Sequence, residues 1–151
     1  VIKMLAIHEV GETLIGDITP FDKITAEEKQ KIEHKAMESV LGDLFKKEEL
    51  FSLLIEFDKR DTKEAKFAYL CDKMEADIQA KVYQDMGFQH NLDDQANNVV
   101  FNSPKINEMI DNGAKTAFDI WYEWDKGKYE GEPVFQKTLK YIKEEIFKIK
   151  R

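Results

Sequence analysis

Apolar positions recur along this chain at spacings of three and four, the repeat of an amphipathic helix. A helix is predicted over residues 2–15, where Leu5, His8, Glu12 and Ile15 share one face and Gly16 supplies the stop. Ile18-Thr19-Pro20 reads as extended, because proline disfavours helix in the residue before it, so Asp17 should sit on a turn just past that helix. Thr25-Ala26-Glu27-Glu28 is a capping box that opens a helix over roughly 26–41, with Ile32, Ala36, Val40 and Leu41 among its apolar positions. Residues 47–59 form a third helix on Leu50, Phe51, Leu53, Leu54 and Phe57. A polar break over 58–62 follows, from which Asp61 and Glu64 can cap the longest predicted helix, 63–86.

That helix carries two stripes. Phe67, Leu70, Cys71, Met74, Ile78 and Val82 form the apolar one, and Asp72, Glu75, Gln79 and Tyr83 the polar one. Ala65, Ala68 and Ala76 keep one side slim enough for another helix to approach closely, and Asp77 is assigned to solvent. Gly87 ends the helix and residues 88–103 form a long polar loop. Ser103-Pro104 opens another helix over 104–112, since proline suits the first helical position. Helices over 114–126 and 133–149 complete an all-α helical bundle, read as one domain over 1–151.

Composition narrows the class. Hydrophobic residues at 42% and charged residues at 35% fit a globular domain long enough to build a core. Three prolines and seven glycines suit long helices rather than many short strands. A net charge of −7 disfavours nucleic acid polymers and anionic membrane surfaces, although a bound cation could reverse the sign locally and admit an anionic substrate. Cys71 is the single cysteine, so no intrachain disulfide forms. No apolar run approaches the roughly 20 residues that span a bilayer. With no leader pattern visible, a cytoplasmic location is expected. The chain opens at Val1 already inside an apolar, helix-like pattern, and further residues are expected upstream.

The segment from His8 to Asp17 holds the chemistry. An imidazole and three further carboxylate-bearing positions, Glu9, Glu12 and Asp17, interrupt an otherwise apolar stretch of Ile2, Met4, Leu5, Ile7, Leu14 and Ile15. Groups that resist burial are tolerated there if they bind a cation, pair, or react. His8 and Glu12 stand one turn apart. Glu9 is rotated by about 100 degrees from His8 yet can reach the same ion. The pattern overlaps HExxH, but position 12 is Glu, so the zinc-protease reading lacks its second histidine. Asp72 and Glu75 form a second carboxylate cluster, which the fold is expected to bring to the same divalent metal. His34 and His90 are read as surface residues, and Cys71 as core. The cluster of Trp121, Tyr122 and Trp124 is assigned to core or dimer packing, which makes a homodimer the expected assembly.

Taken together, His8-Glu9, Glu12, Gly16-Asp17-Ile18-Thr19-Pro20, Ala65-Lys66-Phe67, Asp72-Lys73-Met74-Glu75 and Gln79-Ala80 resemble the HD-domain phosphohydrolase superfamily. Within it they are most similar to the small bacterial branch of nucleoside 5′-monophosphate phosphatases. The resemblance runs from residue 2 to about 84 and more loosely onward. It implies an all-α bundle around one divalent metal ion (Mn, Co, Ni, Zn, Fe or Mg), with His8, Glu9 and Asp72 as ligands. It further implies that Glu12 helps activate the attacking water, that Asp17 positions substrate or water, and that the substrate is a small phosphate monoester, a nucleoside monophosphate above all. The family pair is His-Asp, whereas this chain has His8-Glu9, whose carboxylate sits one methylene further out. The family also has an earlier histidine ligand on a preceding helix, and only seven residues precede His8. Either that helix lies in residues upstream of Val1 or the ligand is lost. The Glu9 departure keeps open a rival, a relative with a degraded metal site that binds nucleotide or acts as a scaffold.

Overall fold

The computed structural model describes residues 1–89, 92 and 97–147. Among the described residues there are eight α-helices and no strand. They are α1 (Ile2–Ile7), α2 (Glu12–Ile15), α3 (Ala26–Leu41), α4 (Lys47–Lys59), α5 (Lys63–Asp85), α6 (Pro104–Asp111), α7 (Ala117–Asp125) and α8 (Pro133–Glu144). The all-α expectation holds. The chain divides into two compact units, Val1–Tyr69 and Leu70–Arg151, with the boundary inside α5.

In the first unit α1 packs on α4, α2 on α3, and α3 on α4. Two apolar clusters result. One joins Met4, Phe57, Ala65 and Ala68; the other joins Met37, Leu41 and Leu54. Burying one such large side chain contributes about 1.5–3 kcal/mol. The alanines at 65 and 68 are fully buried, as their small size requires where a second helix comes close. The Thr25 capping box forms as expected: Thr25 Oγ1 accepts from the Glu28 amide at 3.2 Å, and the Glu28 carboxylate accepts from the Thr25 amide at 2.8 Å. The cap on α5 differs from the expectation. Thr62 Oγ1, rather than Asp61, accepts from the Ala65 amide at 3.1 Å.

The helix expected over 2–15 is broken. α1 ends at Ile7 and α2 starts at Glu12, and between them the bonds shorten to three-residue steps, Val10 N to Ile7 O and Glu12 N to Glu9 O. Gly11 lies in this break. It is buried against α3, and a Cβ there would lie 3.0 Å from the Glu33 carbonyl and 3.4 Å from the Met37 amide. A Cβ there would push the α3 backbone back by a few tenths of an ångström, so glycine suits the close approach.

The second unit is built by α6, α7 and α8 with 3₁₀ turns at Val99–Asn102 and Lys126–Tyr129. Ile106, Met109, Phe118, Tyr129, Phe135, Leu139 and Ile142 are buried. The Tyr129 and Phe135 rings stack at 5.8 Å between centroids. Pro104 occupies the first turn of α6 as expected. α7 starts at Ala117, later than the expected 114, because Thr116 and Asp119 form a capping box there. α8 stops at Glu144, short of 149; residues 148–151 and His90 lie outside the described residues.

The face assignment on α5 needs correction. Asp77 is fully buried, while Phe67 and Ile78, placed on the apolar stripe, are exposed at 49% and 36%. The buried line runs through Leu70, Met74, Asp77 and Lys81, at steps of four, three and four. Asp77 is tolerated inside because Tyr129 donates its phenol hydrogen to Asp77 Oδ2 at 2.6 Å.

Candidate metal centre

His8 closes α1, and its backbone position one turn beyond the buried Met4 brings the ring inward. Its side chain is only 14% exposed, and the ring lies 4.8 Å from that of Phe57. His8 Nδ1 is 3.0 Å from the Leu5 carbonyl. A carbonyl can only accept, so Nδ1 carries the hydrogen and donates it, which puts the ring lone pair on Nε2. Histidine ligands are commonly oriented in this way. Glu9 Oε1 stands 3.7 Å from that Nε2, and its side chain reaches out to solvent. An imidazole locked through Nδ1 with a neighbouring carboxylate near Nε2 has the donor chemistry of a first-row divalent ion. The extra methylene of Glu9 does not carry its carboxylate away from the imidazole.

Glu12 begins α2 and is half-buried. Burial pushes its carboxyl above the usual range, the negative charges of Asp17, Glu9 and Glu33 add to that, and Lys29 opposes it. Asp17 follows Gly16, whose φ of +75° turns the chain out of α2, and is exposed. The first unit therefore brings together His8 with Glu9, and Glu12 with the field of Asp17. The mutual helical spacing of His8 and Glu12 is lost in the break between α1 and α2.

Asp72 stands on α5 in the second unit with its side chain 16% exposed, and Lys73 Nζ is 2.8 Å from its Oδ2. Glu75, its companion in the sequence cluster, is exposed. Glu75, Gln79, Cys71, Met74, Ile78 and Phe135 line a shallow pocket in this unit. Cys71 is half-buried rather than core, and burial pushes its thiol up, away from the thiolate a nucleophile needs.

Sequence reasoning missed several charged groups. His34 is half-buried, not a surface residue: its Nε2 meets Asp58 Oδ2 at 2.5 Å, tying α3 to α4. Asp125 is fully buried and paired with Lys128. Lys81 and Asp85 form a nearly enclosed pair at 2.5 Å. For Asp77 and Lys81 a signal existed, since they continue the three-and-four spacing of Leu70 and Met74.

A family model of the HD domain matches residues 1–113. The chain belongs to the HD-domain family. Among curated proteins it is similar to 5′-deoxynucleotidase HDDC2 of Dictyostelium discoideum, 40% identical over 86 residues, covering 56% of this chain and 45% of that protein. It is likewise similar to 5′-deoxynucleotidase HDDC2 of Homo sapiens, 31% identical over 116 residues, covering 72% of this chain and 56% of that one. The Schizosaccharomyces pombe protein 5′-deoxynucleotidase hdd1 is 34% identical over 89 residues, 55% of this chain and 45% of its own length. The chain thus spans about half the length of the curated relatives it matches. Among the described residues no helix is long and apolar enough to cross a membrane.

Proposed function

We propose that this protein is a divalent-metal-dependent phosphohydrolase that releases phosphate from nucleoside 5′-monophosphates, 2′-deoxynucleotides foremost. The observation that carries this reading is His8, fixed through Nδ1 to the Leu5 carbonyl with Glu9 3.7 Å from its Nε2, in a chain of the HD-domain family. The names of the relatives support the substrate class.

His8, Glu9 and Asp72 would hold the ion, each offering one ligand atom. Helical register supports Asp72 as the third: it lies one turn beyond Ala68, as His8 lies one turn beyond Met4, and Ala68 and Met4 share a cluster of the first unit. Bound there, a divalent cation supplies Lewis acidity toward a phosphoryl oxygen and makes water acidic near neutral pH. Glu12, with its raised carboxyl, is suited to accept the proton of the attacking water at its carboxylate oxygen. Asp17, exposed on the turn after Gly16, orients substrate or water. The net negative surface repels polymeric nucleic acid and leaves small nucleotides as substrates. A single HD-type domain over 1–151, a cytoplasmic location and a homodimer belong to the same proposal, and Trp121, 43% exposed in the 118–124 cluster, supports a contact between copies.

The test is metal content of the purified full-length protein, together with phosphate release from a panel of mononucleotides in Mn, Co, Ni, Zn, Fe or Mg. Release that depends on the ion is expected. Metal-free protein that releases no phosphate with any ion would sink the enzyme and favour a non-catalytic relative.

A further inference from the structure

Lys29 reaches across the first unit to the turn that carries Asp17. It sits in the second turn of α3, half-buried, and its Nζ donates to the Ile18 carbonyl at 2.5 Å while lying 3.4 Å from Glu33 Oε1. Ile18 is the residue after Asp17, within the segment that belongs to no helix. That segment is restrained from both ends. Gly16 sets the turn on the near side with its positive φ, and on the far side Asp22 Oδ2 accepts from the Thr19 amide at 2.7 Å and from the Thr19 hydroxyl at 2.8 Å. The Ile18 carbonyl lies between these restraints, and the ammonium ties it to α3. The same α3 is pinned to the preceding segment where Gly11 meets the Glu33 carbonyl.

Charge argues the same way. Lys29 stands among carboxylates: its field reaches Glu12 and Asp22, and Glu33 is adjacent. A charged donor forms a stronger bond to a carbonyl than a neutral one does. It also offsets the repulsion that would push Glu12 and Asp17 apart.

We propose that Lys29 is a positioning residue of the phosphohydrolase, whose ammonium clamps the Asp17–Ile18 turn to α3 and so holds Asp17 and Glu12 toward one substrate. This rests on the phosphohydrolase reading above and deepens it. Lys29 touches no reacting atom; it acts through Asp17.

Three variants of the full-length protein test it, Lys29→Met, Lys29→Arg and Asp17→Asn, with the Lys29→Met/Asp17→Asn double. Two readouts are needed: amide hydrogen exchange over residues 17–22, and steady-state kinetics on a deoxynucleoside monophosphate with added divalent ion. Lys29→Met should speed exchange at Thr19 and Asp22 and lower kcat about tenfold, with KM moved by less than about twofold. Lys29→Arg should restore most of both, because the guanidinium keeps the charge and the donors. The double variant should be no slower than Asp17→Asn alone, to within about twofold, because residues acting through one another are not additive. Unchanged exchange in Lys29→Met, or losses that multiply in the double variant, would overturn the clamp. If the wild-type protein releases no phosphate from any mononucleotide, the phosphohydrolase reading falls, and the exchange measurement alone still decides whether Lys29 holds the turn.

Discussion

Charged groups are used in opposite ways in the two units. In the first, Glu9 stands beside the half-buried imidazole of His8 at a break between helices, Glu12 and Asp17 follow within the field of one another, and Glu9 and Asp17 are exposed. In the second, Asp77 and Asp125 are fully enclosed, one bonded to Tyr129 and the other paired with Lys128. Glu9 and Asp17 keep their carboxylates accessible to a ligand from solution, whereas each enclosed aspartate engages the protein through one oxygen, Asp77 Oδ2 with Tyr129 and Asp125 Oδ1 with Lys128. Burial of a carboxylate is therefore no mark of chemistry in this molecule. The enclosed Asp77 has the larger shift, its carboxyl pushed up to about 7, because desolvation outweighs the Tyr129 hydrogen bond and Asp125 adds repulsion. A strongly shifted group is a functional candidate only when something outside the protein can reach it.

The contrast can be broken most sharply at Glu12. Glu12→Gln should lower kcat for a deoxynucleoside monophosphate by roughly a hundredfold to ten-thousandfold and leave the melting temperature nearly unchanged, because the residue is only half-buried. Steady-state kinetics and calorimetry on the same samples would check both halves.

Asp77→Asn should do the reverse, leaving metal binding intact and changing stability. The folded state raises the Asp77 carboxyl from 3.8 to about 7, so the native protein holds a proton that the unfolded chain releases. Stability from this group is complete below about pH 4 and is lost as pH climbs toward 7; above that it is a constant penalty of about 4 kcal/mol. Asparagine carries no charge to bury and can still accept from Tyr129. Denaturant unfolding should therefore show the variant gaining on the wild type between pH 4 and pH 8, and a difference that is flat in pH would contradict the assignment.

Tyr129→Phe removes the donor to Asp77 and should cost about 1–3 kcal/mol, more at pH 8 than at pH 5, since the charged carboxylate loses most. Smaller still is Thr25→Ala, which deletes the capping box of α3 and should cost about 1 kcal/mol. That loss should be the same at both pH values and should leave kcat within about twofold, which thermal unfolding and kinetics would establish.

What could be read from the chain alone follows the range of the forces involved. The α3 start was legible because a capping box needs only Thr25 and Glu28, three residues apart. The α6 start was legible because proline constrains its own backbone. The start of α7 was within reach too: Thr116 and Asp119 have the same spacing as Thr25 and Glu28. The break between α1 and α2 was not, because the local pattern from Leu5 to Ile15 suits one continuous helix, and the close approach of Gly11 to Glu33 at the break involves another helix. Asp77 was misplaced for a related reason. Its helix face could be read, but an aspartate goes inside only if a donor waits there, and Tyr129 lies 52 residues away in sequence.

By itself, then, the sequence determined helix content and most helix boundaries, since each rests on spacing within a few turns; the ligands proposed at His8, Glu9 and Asp72 come from the family resemblance of their motifs. Tertiary structure alone decided which charges are enclosed and which donors meet them. Burial and donor geometry depend on groups that come close only when the chain has folded, and no local pattern encodes them.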